Sequence, residues 1–219
     1  MVTFFDKEYK ATKKIKQGGK SLLPPLRELA DWINQKWGVT VLNVIYDRAK
    51  ESLHAPRLQV ILEFGRETKK FRDGPNFDHL KQQAIASRFV EIVSRDQNHD
   101  YDLQGLFVVF SAFAPLACDE ADSKISDEEI EALKLRIGNP DLWTISRYFG
   151  YVTFMLFTDA QAQDHAAMGK KEEYAREYFQ VLKPYDEFEY LDESTFEVQI
   201  DSKENFDQNY QSSWFYYDR

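Results

Sequence analysis

Two apolar runs, Val41-Leu42-Asn43-Val44-Ile45-Tyr46 and Leu58-Gln59-Val60-Ile61-Leu62, are each followed by a carboxylate, Asp47 and Glu63. A pair of carboxylates brought together at the edge of a sheet can hold Mg²⁺, and a nearby lysine can help activate an attacking water. Two residues after Glu63 stands Gly65, while Glu67-Thr68-Lys69 supplies a carboxylate and a lysine at that spacing slightly further on. The bland reading of the same residues is a hairpin whose polar ends face water.

Other motifs that carry chemistry are incomplete. Gly19-Lys20-Ser21 ends like a phosphate loop, but position 14, where the motif needs glycine, is Lys14. Asp96, Asn98 and Asp100 match the first ligands of a calcium loop, yet Tyr101 and Phe107 stand where glycine and glutamate are required. The four histidines, His54, His79, His99 and His165, lack metal-ligand spacing and read as solvated or capping residues. One cysteine, Cys118, excludes an internal disulfide, and Asp119 and Glu120 beside it oppose thiolate formation.

The elements that must position these groups follow from periodicity. Pro24-Pro25 lead into a helix over Leu26–Trp37, ended by Gly38, and strands follow at Val39–Tyr46 and Leu58–Phe64. A second helix starts at Asn76 or Asp78 and runs to Arg95. Leu106–Phe113 is apolar enough to predict a central strand covered on both faces. Ser126-Asp127-Glu128-Glu129 is a capping-box pattern, and Gly138-Asn139-Pro140 stops the helix it opens. Phe149–Thr158 reads as a strand and Ala160–Leu182 as a long helix that Gly169 interrupts. Phe196–Ile200 alternates as a strand, a short helix carries Phe206 and Tyr210, and Trp214–Tyr217 reads as a last strand or docked tail.

This order predicts an α/β fold, or an α+β one: a single compact domain over residues 21–219, with a mixed sheet, an N-terminal hairpin and about four helices. Residues 1–20 read as a separate Lys-rich arm. Val39-Thr40-Val41 faintly echoes Val152-Thr153-Phe154, which suggests a duplication.

Helix, hairpin ending in Asp47 and Glu63, helix, then strand resembles the start of the PD-(D/E)xK nuclease core over residues 22–113. The resemblance implies Asp47 and Glu63 as Mg²⁺ ligands, Glu28 as a helper from the first helix, Gln82 or Gln83 from the second, and Lys69 as the lysine. Nucleic acid is a partner under this reading alone; the other readings need no cofactor.

Charge is unevenly placed. The net −9 divides into +4 over residues 1–20, balance over 21–118, and −13 over 119–219 from 23 acids and 10 bases. An acidic half repels nucleic acid and attracts basic partners. Tyr185-Asp186-Glu187-Phe188-Glu189-Tyr190-Leu191-Asp192-Glu193 interleaves acids with aromatics, and Trp214 lies beyond. Aromatics anchor interfaces and acids steer a cationic partner. The leading expectation is therefore a non-enzymatic protein of the immunity or inhibitor kind, binding a basic protein through Tyr185, Asp186, Glu187, Glu189, Tyr190, Asp192, Glu193 and Trp214. A homo-oligomeric scaffold is the third reading. No spanning segment and no leader is legible, which points to a cytoplasmic protein.

Overall fold

The computed structural model describes residues 3–49, 55–96, 100–148 and 150–218. The chain divides after Leu116 into two compact units. Helix and mixed sheet are both present, as predicted, but the strands form two separate three-stranded sheets, one in each unit. The helical segments are also more numerous than four.

In the first unit, α1 (Lys7–Lys16) and α2 (Pro24–Trp37) precede the hairpin strands β1 (Val41–Arg48) and β2 (Pro56–Leu62). A short helix, α3 (Gly65–Thr68), and a two-residue ladder of β3 (Arg72–Asp73) with β4 (Asn76–Phe77) follow. Then come α4 (His79–Arg95), which Asp78 caps by accepting from Lys81 N, and β5 (Phe107–Ala112). β2 pairs antiparallel with β1 and parallel with β5. A parallel neighbour needs a crossover, and α4 is that crossover. Leu29 and Ile33 of α2, Leu58, Val60 and Leu62 of β2, and Ile85 and Phe89 of α4 form the dry core.

Two expectations change here. The Lys-rich arm is the helix α1, with Tyr9 and Thr12 turned inward. Tyr9 stacks on Phe113 at 5.0 Å, and Asn43 Nδ2 donates to Thr12 Oγ1 at 3.0 Å. The strand at Leu106–Phe113 is not central: β5 is an edge, and β2 holds the middle. The apolar run continues past Ala112 into α5 (Phe113–Ser123), so it joins a whole strand to the start of a helix.

The second unit repeats the order. Helix α6 (Asp127–Ile137) begins at the predicted capping box, with Glu129 N donating to Ser126 Oγ and Ser126 N to Glu129. β6 (Leu142–Tyr148) and β7 (Tyr151–Leu156) form an antiparallel hairpin, and β8 (Gln199–Ser202) pairs parallel to β7. The crossover is α7 (Asp159–Ala167) and α8 (Lys170–Leu182), broken at Gly169, whose φ of +71° favours glycine. The short helices α9 (Lys203–Tyr210) and α10 (Trp214–Tyr217) follow β8. The WFYY segment is thus a helical turn, not a strand.

Both sheets have the order hairpin strand, central strand, parallel strand, and both hairpins shift register near the start of their first strand, at Val41/Asn43 and Leu142/Thr144. The repetition is topological. The echoing triplets do not correspond, because Val41 opens β1 whereas Val152–Phe154 lie in β7, the counterpart of β2.

Phe154 is fully buried and stacks on Tyr174 at 4.5 Å. Truncation of such a side chain leaves a cavity. Phe154→Ala is expected to destabilise the β7 amides by about 3–5 kcal/mol in native-state hydrogen exchange.

Candidate functional site

Asp47 and Glu63 stand at opposite ends of their hairpin. Asp47 pairs in register with Arg57, and Glu63 lies six residues beyond that, about 20 Å at the rise of a strand. Two carboxylates that each end a strand of an antiparallel pair cannot share an ion. Each is also engaged elsewhere. Arg57 grips both oxygens of Asp47 at 2.9 and 2.8 Å, and Gln59 Nε2 adds a third bond at 2.8 Å. Burial alone would raise this carboxyl, but the Arg57 bonds and charge hold it below the usual range. Glu63 receives Lys16 Nζ from α1 at 2.6 Å.

The remaining residues of the nuclease-like set are dispersed. Glu28 on α2 binds Arg95 and Arg88 on α4, clamping the two helices, and the Arg95 hydrogen bond keeps its carboxyl low. Glu67 is buried and accepts from Thr40 N and Phe64 N, both at 2.9 Å, so the Glu-Thr-Lys motif is a cap. Lys69 is exposed. Gln82 donates to the Val108 carbonyl of β5, and Gln83 meets His79. Among the described residues no group of three or more His, Cys, Asp or Glu could hold a metal ion. The glycines of Gly18-Gly19-Lys20 close α1, their amides donating to Ile15 O and Lys14 O. Asn98, His54 and His99 lie outside the described residues.

The acidic, aromatic stretch is a built loop. Asp186 turns inward, its side chain 4% exposed, and accepts from Tyr190 N and Leu191 N at 3.0 Å and from Lys183 Nζ at 2.8 Å. Tyr185 donates to both oxygens of Glu129, and Asp192 accepts from Ser194. Asp186 and Tyr185 help to shape the loop, and Asp192 stays exposed. Glu187, Glu189 and Glu193 face solvent, while Tyr190 is half-buried. Glu189 adopts φ +57°, a left-handed conformation that costs a residue with a Cβ about 1 kcal/mol. The Asp186 bonds hold it there. Trp214 stacks on Trp143 at 6.0 Å and packs on Phe206 at 4.3 Å, retaining partial exposure, while Phe215 and Tyr216 of α10 point out.

Sequence reading misses two hydrogen-bonded groups of the second unit. His165 is neither solvated nor a cap. Asn139 Nδ2 donates to the Tyr174 hydroxyl at 2.8 Å, and that hydroxyl lies 2.8 Å from His165 Nδ1. His165 Nε2 lies 3.6 Å from Asp141. Tyr174 is 1% exposed, so its end of the series is buried, while Asp141 at the other end reaches solvent. Asp122 is the second case. It is buried, accepts from the Tyr178 hydroxyl, and has its carboxyl raised by burial against the opposing effects of Tyr178 and Arg147. Burial, with Asp186 and Asp119, pushes the Cys118 thiol up to about 12, so it is not an activated nucleophile. No helix of the described residues is long and apolar enough to cross a membrane.

A carboxyl raised in the folded state favours folding when protonated, and that contribution is lost as pH rises from its unfolded value through its folded one. Asp122→Asn keeps an acceptor for Tyr178 without the buried charge. It is expected to raise the melting temperature at neutral pH, with the gain vanishing as pH falls below the ordinary carboxylate range; a constant difference across pH would contradict the assignment. Comparison with protein-family models, curated proteins and solved structures finds no match for this chain.

Proposed function

We propose that this chain is a cytoplasmic, non-enzymatic binding protein that captures a basic protein through its second unit, in the manner of an immunity or inhibitor protein. The observation that carries this reading is the loop around Asp186. An inward carboxylate fixes the backbone, so Glu187 and Glu189 are presented outward without being ordered at the moment of binding. Preorganised contacts lose less entropy on association. The surrounding charge agrees, since residues 117–219 carry 23 acids against 10 bases. Phe215 and Tyr216 add exposed aromatic area in the same unit.

A partner that fits is a cationic protein, such as an enzyme acting on nucleic acid whose basic cleft the acidic loop would cover. Nucleic acid itself is repelled by the same charge.

The test starts from a pull-down out of the native host, with the retained basic protein then measured against wild type and against Glu187→Lys, Glu189→Lys, Glu193→Lys combined. The reversal is expected to lower the association rate about tenfold or more at low salt and to change dissociation less. The difference should shrink as salt is raised. An unchanged association rate would overturn the reading.

A further inference from the structure

The first unit carries the opposite charge, 18 bases against 14 acids, a net +4. Its most ordered concentration of cations is α1. Lys7, Lys10 and Lys14 are all exposed and follow one another at three- and four-residue intervals, so they line one stripe about 10 Å long. The opposite side of the helix is fixed. Tyr9 is buried against Phe113, Thr12 is fully buried and bonded by Asn43, and Lys16 pairs with Glu63. A disordered lysine arm would lose much conformational freedom on docking, whereas this stripe is already held on a packed helix.

We propose that the lysine stripe of α1 docks on the acidic second unit of another copy of this chain, so that the protein self-associates head to tail. The proposal rests on the reading of the second unit as a cation-binding surface, and it names a partner that the sequence itself supplies. Charge complementarity favours this occupant: a copy offers −13 on one unit to the +4 of the other. Phosphate backbones are the competing ligand for a lysine stripe, and the overall −9 opposes both occupants alike, so the choice rests on the uneven division of charge between the units. A contact between two different surfaces leaves both unused surfaces free, so it extends into a series instead of closing at a dimer.

Sedimentation velocity at low and high salt tests this with two exposed-surface variants. One is Lys7→Glu, Lys10→Glu, Lys14→Glu combined; the other is Glu187→Lys, Glu189→Lys, Glu193→Lys combined. Wild type is expected to form a concentration-dependent series at low salt that dissolves at high salt. Each variant alone should be monomeric, with unchanged melting temperature. Mixed, they pair the intact stripe of one with the intact acidic loop of the other, and their reversed surfaces are complementary as well, so association should return at low salt. Wild type that stays monomeric at low salt, or a lysine variant that associates like wild type, overturns the proposal. Binding of short duplex DNA lost in the lysine variant, without self-association, also overturns it and assigns the stripe to nucleic acid. None of these failures touches the association rate of the host partner, on which the reading of the second unit stands or falls separately.

Discussion

Each unit depends on a central strand with unlike neighbours. β2 and β7 both pair antiparallel on one side and parallel on the other. The antiparallel partner can be reached by a hairpin, but the parallel one requires the chain to return across the sheet. That return forces α4 in one unit and α7–α8 in the other. Those crossover helices bring Phe89, Tyr174 and Tyr178 onto the sheets and create the cores. Burial of these aromatics together with the aliphatic side chains around them supplies the dominant favourable free energy. The repeated register shift near the start of each first strand shows that the two hairpins solve the same geometrical problem in the same way.

Carboxylates do different work in the two units. In the first, Asp47, Glu63, Glu67 and Glu28 are held by arginine, lysine or backbone amides and serve to join strands and helices. Their positive partners are left with little excess, and the surplus bases lie outward on α1. In the second, Asp186 shapes a loop and Asp122 is buried, but Glu187, Glu189, Asp192 and Glu193 reach solvent. Whether a carboxylate builds the fold or faces outward depends on what lies opposite it.

Much of the fold is legible from local signals. The helix from Pro24 to Trp37, the Ser126–Glu129 capping box, the stop at Gly138 and the break at Gly169 are backbone effects, readable from residue type. Strand β6 is missed because the irregularity between Leu142 and Thr144 breaks its alternation. Helix α1 is missed because its six lysines hide the inward spacing of Tyr9 and Thr12. Asp141, His165 and Tyr174 come from separate elements, and no local pattern announces that they meet. The separation of Asp47 from Glu63 was available from antiparallel geometry alone, since each carboxylate ends its own strand. Which residues of the acidic stretch face outward was not, because nothing in the sequence shows that Asp186 bonds back to Tyr190 and Leu191.

The central claim is that the cation-binding surface belongs to the second unit and is electrostatic. The most direct measurement is an NMR titration of isotope-labelled protein with a short oligolysine peptide at low and high salt. The account predicts shifts clustered on Glu187, Glu189, Glu193 and α10, disappearing at high salt. Shifts spread over the first unit, or binding that persists unchanged at high salt, would contradict it.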